Sequence, residues 1–150
     1  MTHLDEYRIR VAAVQYLQRF LGQPIPYKWG GNDPIEGFDC SGLILEILQS
    51  VGLISHGVDM TADDLYKKYQ SNTVEHAHTG CLLFWLNTSG RATHVEMAVD
   101  KYYTVGAAGG NSSTLTRDDA ARQDAFIRMR PIEYRGISKL KICDPFKGAV

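Results

Sequence analysis

Apolar residues recur at spacings of three and four through the first segment: Leu4, Tyr7, Val11, Val14, Leu17 and Leu21. That spacing lines them along one stripe of a helix, and Gly22 followed by Pro24 predicts its end. A denser set, Leu43, Ile44, Leu45, Ile47, Leu48 and Val51, nearly encircles a second helix running from near Asp39 to Val51 and closing at Gly52. A helix that is apolar all round is a buried one. Thr61-Ala62-Asp63-Asp64 has the form of a capping box with a short acid and predicts a brief helix through Tyr69. The period then changes. Cys81 to Leu86 is a continuous apolar run, and Thr93 to Asp100 alternates, with Val95, Met97 and Val99 on one face and His94, Glu96 and Ala98 on the other. Tyr102 to Ala107 follows a tight turn at Asp100-Lys101, Thr116 to Gln123 reads as a polar helix, and Ala125 to Arg130 alternates again. Lys139 to Cys143 reads as a further buried strand. Helices first and a meander of strands after them predict an α+β fold with an antiparallel sheet packed on a buried helix.

Composition narrows the function classes. A chain of 150 residues fits one domain, taken as 1–150, with a core large enough to need no disulfide or metal support. The net charge is −1 with no long run of either sign, so nothing marks a nucleic-acid or membrane-surface binder. Met-Thr-His-Leu-Asp-Glu lacks a basic stretch leading into an apolar one, so the chain is expected to be made in the cytoplasm without a signal peptide. No apolar run approaches the length of a membrane span, and no internal repeat is present.

The three cysteines divide into two kinds. Cys81 and Cys143 fall in apolar strands and read as small buried hydrophobes. Cys40 instead falls in Gly37-Phe38-Asp39-Cys40-Ser41-Gly42, where the second helix begins. Unpaired N–H groups and the positive end of the helix dipole favour a thiolate there. A histidine close in space would make Cys40 a candidate nucleophile. Of five histidines only His94 lies inside an alternating strand, where it is either an exposed side chain or a base facing the buried helix. The loop from Gln23 to Phe38, rich in Gly and Pro, carries Tyr27 and Trp29, which either line a site or pack over the core. Competing chemistry is weak. His76-x-His78-x-x-Cys81 offers three zinc ligands without a fourth, and the glycines from Gly106 to Gly110 lack the Gly-Lys-Ser/Thr ending of a phosphate loop. No metal and no cofactor is expected.

Taken in order, Pro26-Tyr27-Lys28-Trp29-Gly30-Gly31, Gly37-Phe38-Asp39-Cys40-Ser41-Gly42-Leu43, Gly80-Cys81-Leu82-Leu83-Phe84-Trp85 and Thr93-His94-Val95-Glu96-Met97 resemble the motifs of the NlpC-type cell-wall cysteine peptidases. The likeness covers roughly residues 5 to 107. It implies a papain-like fold and hydrolysis of amide bonds in peptidoglycan stem peptides, commonly after D-γ-glutamate. It also implies Cys40 as nucleophile, His94 as base, and Tyr27 and Ser41 at the substrate or oxyanion site. The stretch from Val105 to Asn111 and the ending through Asp144-Pro145-Phe146 are similar to phage and prophage members, which implies action on the cell wall as a virion or lysis component, with phage tail or lysis proteins as partners. The alternative is a weakly active or inactive tail component that binds the wall.

The chain departs from the family pattern in two places. Family members carry a third polar residue, often His, on the strand after the base, and here that position falls on or near Gly106. Glu96, two residues beyond His94 on the same face, and Asn111, in the following loop, are the candidates to replace it. The second departure is Gly80-Cys81, where the family has Gly-Asp.

Overall fold

The computed structural model describes residues 2–149. Helix α1 spans His3–Gln18 and opens with a capping box, in which Thr2 accepts from the Asp5 N–H and Asp5 accepts from the Thr2 N–H. Its buried face is Ala13, Val14 and Leu17. Leu4 and Tyr7, placed on the same stripe by the sequence pattern, are exposed. They lie one to three turns ahead of the residues that meet the core, so the stripe is longer than the surface it covers. A short ribbon, β1 (Asn32–Asp33) against β2 (Gly37–Phe38), leads into α2, Cys40–Ser50. Helix α2 is buried on nearly every side, as its apolar pattern requires. Helix α3, Ala62–Tyr69, starts at the predicted capping box of Thr61 and Asp64.

A single sheet of six strands follows, in the order β3-β8-β4-β5-β6-β7. Its members are β3 (Thr73–Val74), β4 (Leu82–Leu86), β5 (Ala92–Ala98), β6 (Tyr103–Ala108), β7 (Phe126–Pro131) and β8 (Leu140–Cys143), with α4 (Arg117–Gln123) between β6 and β7. Every pairing is antiparallel. Strands β4 to β7 form the expected meander, and β8 returns to the far side of β4. The two-residue strands β1, β2 and β3 leave no periodic trace in the sequence.

One face of the sheet packs on α2 through Leu82, Phe84, Val95, Met97 and Val105. The opposite face is covered too. Cys81, Leu83, Trp85 and Ala98 join Ile132 in a smaller cluster, closed by the turn of 3₁₀-helix at Ile132–Arg135. The alternation in β5 therefore does not separate core from solvent. His94 and Glu96 are only 5% and 1% exposed. Cys81 and Cys143 are free and buried, as expected of small hydrophobes. No helix among the described residues is long and apolar enough to cross a membrane.

Candidate active site

Cys40 is the first residue of α2, and the backbone around it is fixed by Asp39. The Asp39 carboxylate accepts from the Gly42 N–H at 2.7 Å, from the Ser41 hydroxyl at 3.3 Å and, through its other oxygen, from the Gly30 N–H at 3.0 Å. One side chain thus caps the helix and ties it to the Pro26–Gly31 loop. Burial raises the Asp39 carboxyl above its ordinary range, against the pull of these hydrogen bonds. The glycines of both motifs are there for close approach. A Cβ on Gly42 would overlap the Gly31 carbonyl oxygen, and one on Gly31 would lie 2.9 Å from the Lys28 carbonyl oxygen. The Asp39 cap takes the Gly42 N–H, and the Cys40 and Ser41 N–H groups, in the first turn, have no intrahelical acceptor.

Strand β5 presents His94 to this helix start. The Cys40 thiol lies close enough to the imidazole to favour its charged form, and the ring Nε2 is 2.6 Å from Glu96 Oε2. With Nε2 engaged by the carboxylate, Nδ1 remains to exchange a proton with sulfur. Burial disfavours the charged ring, but Cys40 and Glu96 together outweigh it and push the His94 pKa up to about 9. Trp85 of β4 packs tilted against the ring, with centroids 5.6 Å apart.

Tyr27 is buried and also lines the cleft, so packing and site-lining describe the same side chain. Its ring covers Gly110, where a Cβ would sit 2.7 Å from Tyr27 Cε1. Burial, with smaller contributions from Cys40 and Asp39, raises the Tyr27 hydroxyl well above the ordinary tyrosine range, so it stays a neutral donor. Trp29 is half exposed on the cleft rim. Ser41 is buried beside Cys40. The cleft has a volume of about 600 Å³ and runs from Trp29 and Tyr27 past Cys40 to Asp59, Asp64 and Arg91.

The two candidates for the third position part company here. Glu96 reaches the imidazole. Asn111 does not: its side-chain oxygen accepts from the Ser113 N–H and hydroxyl and serves its own loop. Sequence reasoning missed Tyr134, whose hydroxyl donates to Glu96 Oε2 at 2.5 Å. Its position in a turn far along the chain carries no local signal.

The zinc pattern is rearranged. His78 and Cys81 come together with Asp144 rather than with His76. Asp144 is already held by both terminal nitrogens of Arg10, at 2.9 and 3.0 Å, and by His78 at 3.0 Å. A guanidinium seated on the carboxylate fills the place a cation would need, so these residues do not fit a metal.

A cysteine at the tip of a buried helix, close to a histidine on an antiparallel sheet, is the arrangement of the papain-like cysteine peptidases. Within that class the chain belongs to the NlpC/P60 family, whose model matches residues 22–130. It is 34% identical over 83 residues to murein DD-endopeptidase MepH of Escherichia coli, a match covering 54% of this chain and 29% of that protein. It is 35% identical over 83 residues to the bifunctional muramidase/DL-endopeptidase CwlT of Bacillus subtilis, covering 54% of this chain and 24% of that one. The matched stretch thus spans under a third of either relative. Among solved structures, an NlpC/P60 family protein from Bacillus cereus superposes with a TM-score of 0.67 at 21% identity, covering 91% of this chain and 40% of that one. The P60 domain of a Mycobacterium avium subspecies paratuberculosis antigen gives 0.62 at 20% identity, covering 91% and 97%.

Proposed function

We propose that this domain is a cysteine endopeptidase that hydrolyses amide bonds in peptidoglycan stem peptides, with the bond after D-γ-glutamate as its target. The observation that carries this reading is the buried imidazole of His94, bonded to the Glu96 carboxylate and close enough to Cys40 for the thiol to favour its charged form. In the reaction His94 takes the Cys40 proton and sulfur attacks the carbonyl carbon of the scissile amide. The oxyanion that forms meets the first-turn N–H groups at Cys40 and Ser41 and the Tyr27 hydroxyl. The imidazolium then protonates the leaving amine, and the C–N bond breaks to give an acyl-enzyme. Water, deprotonated by His94, attacks the thioester and releases the carboxylic acid and the free thiol. No metal or cofactor enters any step.

The peptide reading is supported by relatives named as murein DD- and DL-endopeptidases. The wall-binding alternative rests on the missing polar residue at Gly106. The hydrogen bond between Glu96 and the imidazole supports the active reading over it. Delivery to the wall as a phage tail or lysis component rests on the similarity of the Val105–Asn111 stretch to phage members.

The test is digestion of purified peptidoglycan followed by mass spectrometry of the soluble fragments. New ends at the D-γ-glutamyl bond are expected from the native protein and none from Cys40→Ala. Equal release by Cys40→Ala would overturn the assignment, and ends at another bond would correct the specificity alone.

A further inference from the structure

Strands β5 and β6 pair with Met97 opposite Val105 and Ala98 opposite Thr104. Continued by one residue, that antiparallel register sets Glu96 opposite Gly106. Gly106 is the position from which the strand after the base would supply a third polar group. Here the space above it belongs to Glu96: a Cβ on Gly106 would overlap Glu96 Cγ and lie 2.7 Å from Cδ and 3.1 Å from Cβ. The carboxyl group therefore reaches the imidazole from the base's own strand, across a gap left by a glycine. A side chain two residues away on the same strand face has no intrinsic reason to bend back toward its neighbour. Something must hold it there.

Glu96 Oε1 is buried without a partner, and both hydrogen bonds to the carboxylate fall on Oε2, from His94 and from Tyr134. We propose that Tyr134 is a positioning residue of this site: its hydroxyl clamps Glu96 in the gap over Gly106, so that the carboxylate aims at His94 Nε2. The clamp is itself anchored. Trp85 packs against both rings, with its centroid 5.6 Å from that of His94 and 6.4 Å from that of Tyr134. Its indole N–H donates to the Gly136 carbonyl at 2.9 Å, latching the 132–135 turn onto β4. Arg130 lies over the Tyr134 ring at 5.2 Å and Arg135 over the Trp85 ring at 5.9 Å, covering the turn from outside. Burial first, and Glu96 second, raise the Tyr134 hydroxyl above the ordinary tyrosine range, so it remains a donor throughout the working pH range.

The charged and titratable groups around the imidazole are then Cys40 from α2, Glu96 from β5, and Tyr134 with Arg135 from the turn. Loss of the clamp frees the carboxylate to leave Nε2, and the imidazolium loses its stabilising partner. The proposal rests on Cys40 and His94 acting as a pair, but its test does not require peptidoglycan cleavage.

In Tyr134→Phe, an isosteric change, the pH midpoint of Cys40 alkylation by iodoacetamide is expected to rise by about one unit. On a cleaved muropeptide, kcat is expected to fall about tenfold with KM unchanged, the effect of losing one hydrogen bond to a charged group. Glu96→Gln, which keeps the shape and loses the charge, should move the midpoint at least as far. In the unmodified protein the Tyr134 hydroxyl proton should be visible by NMR as a slowly exchanging signal. An unchanged alkylation profile in Tyr134→Phe, even with a lowered Tm, would mean a purely structural hydroxyl and overturn the proposal. Absence of the slowly exchanging proton would also overturn it, whether or not the variant folds. A normal alkylation shift in a protein that cuts no muropeptide would sink the peptidase reading and leave the clamp standing.

Discussion

Arg10→Met is the sharpest test of how α1 is fixed to the end of the sheet. The Arg10 guanidinium donates to both oxygens of Asp144, at 2.9 and 3.0 Å, to the Thr79 carbonyl at 3.1 Å and to Glu6 at 2.9 Å, and its carbon lies 5.0 Å above the Phe146 ring. The two side chains are 11% and 6% exposed, so solvent screens the pair little. Methionine keeps most of the aliphatic stem over Phe146 and removes the charge. Breaking a buried ion pair on one side costs about 3–5 kcal/mol, because the surviving charge stays buried. Asp144 would retain the Phe146 N–H at 3.0 Å and His78 at 3.0 Å, which puts the expected loss near the lower figure, about 3 kcal/mol. Burial alone would raise the Asp144 carboxyl, but Arg10 and His78 hold it below its ordinary value of 3.8. A depressed carboxylate pKa contributes stability above the unfolded value and loses it as pH falls through the native one. The gap between native protein and variant should therefore be full at neutral pH and close as the medium is acidified below the carboxylate range. Urea unfolding at a series of pH values measures both, provided the m-value is unchanged. A loss under about 1 kcal/mol at neutral pH, or a gap that does not close in acid, would refute the assignment of this pair as a buried lock.

Two further outcomes follow from the site. Gly42→Ala should destabilise the protein by at least about 2 kcal/mol and abolish Cys40 reactivity, since the new Cβ meets the Gly31 backbone and lies 2.9 Å from the capping Asp39 oxygen; thermal unfolding and alkylation read the two effects. For His94, a pKa raised from 6.5 to about 9 means stability that is fully present below 6.5 and lost as pH rises through 9; the stability difference between native protein and His94→Gln should shrink over that window, and a flat difference would contradict the raised value.

The placement of Cys40 at a capped helix start was legible because everything that makes it is local. The Gly-x-Asp-Cys-Ser-Gly run, the cap and the apolar helix lie within a dozen or so residues, and Asp39 and Gly42 carry out there what their types suggest. His94 was legible from period-two alternation and its family motif, but its burial was not, because the covering turn at 132–135 comes from far along the chain. The pattern in β5 marked which residues share a face and left open what lies against it. Gly106 showed a gap in the sequence. Only the β5–β6 register shows that Glu96 stands across from it, and register is a pairing property that no single strand encodes. Tyr134 left no trace for the same reason. Leu4 and Tyr7 show the converse: a good helical stripe can outrun the surface available to bury it.

The position of β8 separates the family's boundaries from the fold's. The family model ends at residue 130, and every recognisable motif precedes it. Yet β8 sits inside the sheet, between β3 and β4, with Leu82 opposite Cys143 and Trp85 opposite Leu140. The partner of Arg10 and the acceptor for Trp85 Nε1 also lie beyond that point. A fragment cut after residue 130 would keep Cys40, His94 and the cleft-lining loop while exposing the β4 edge and stripping the cover from His94. Homology would judge such a fragment whole, and as a folding unit it would be missing an interior strand.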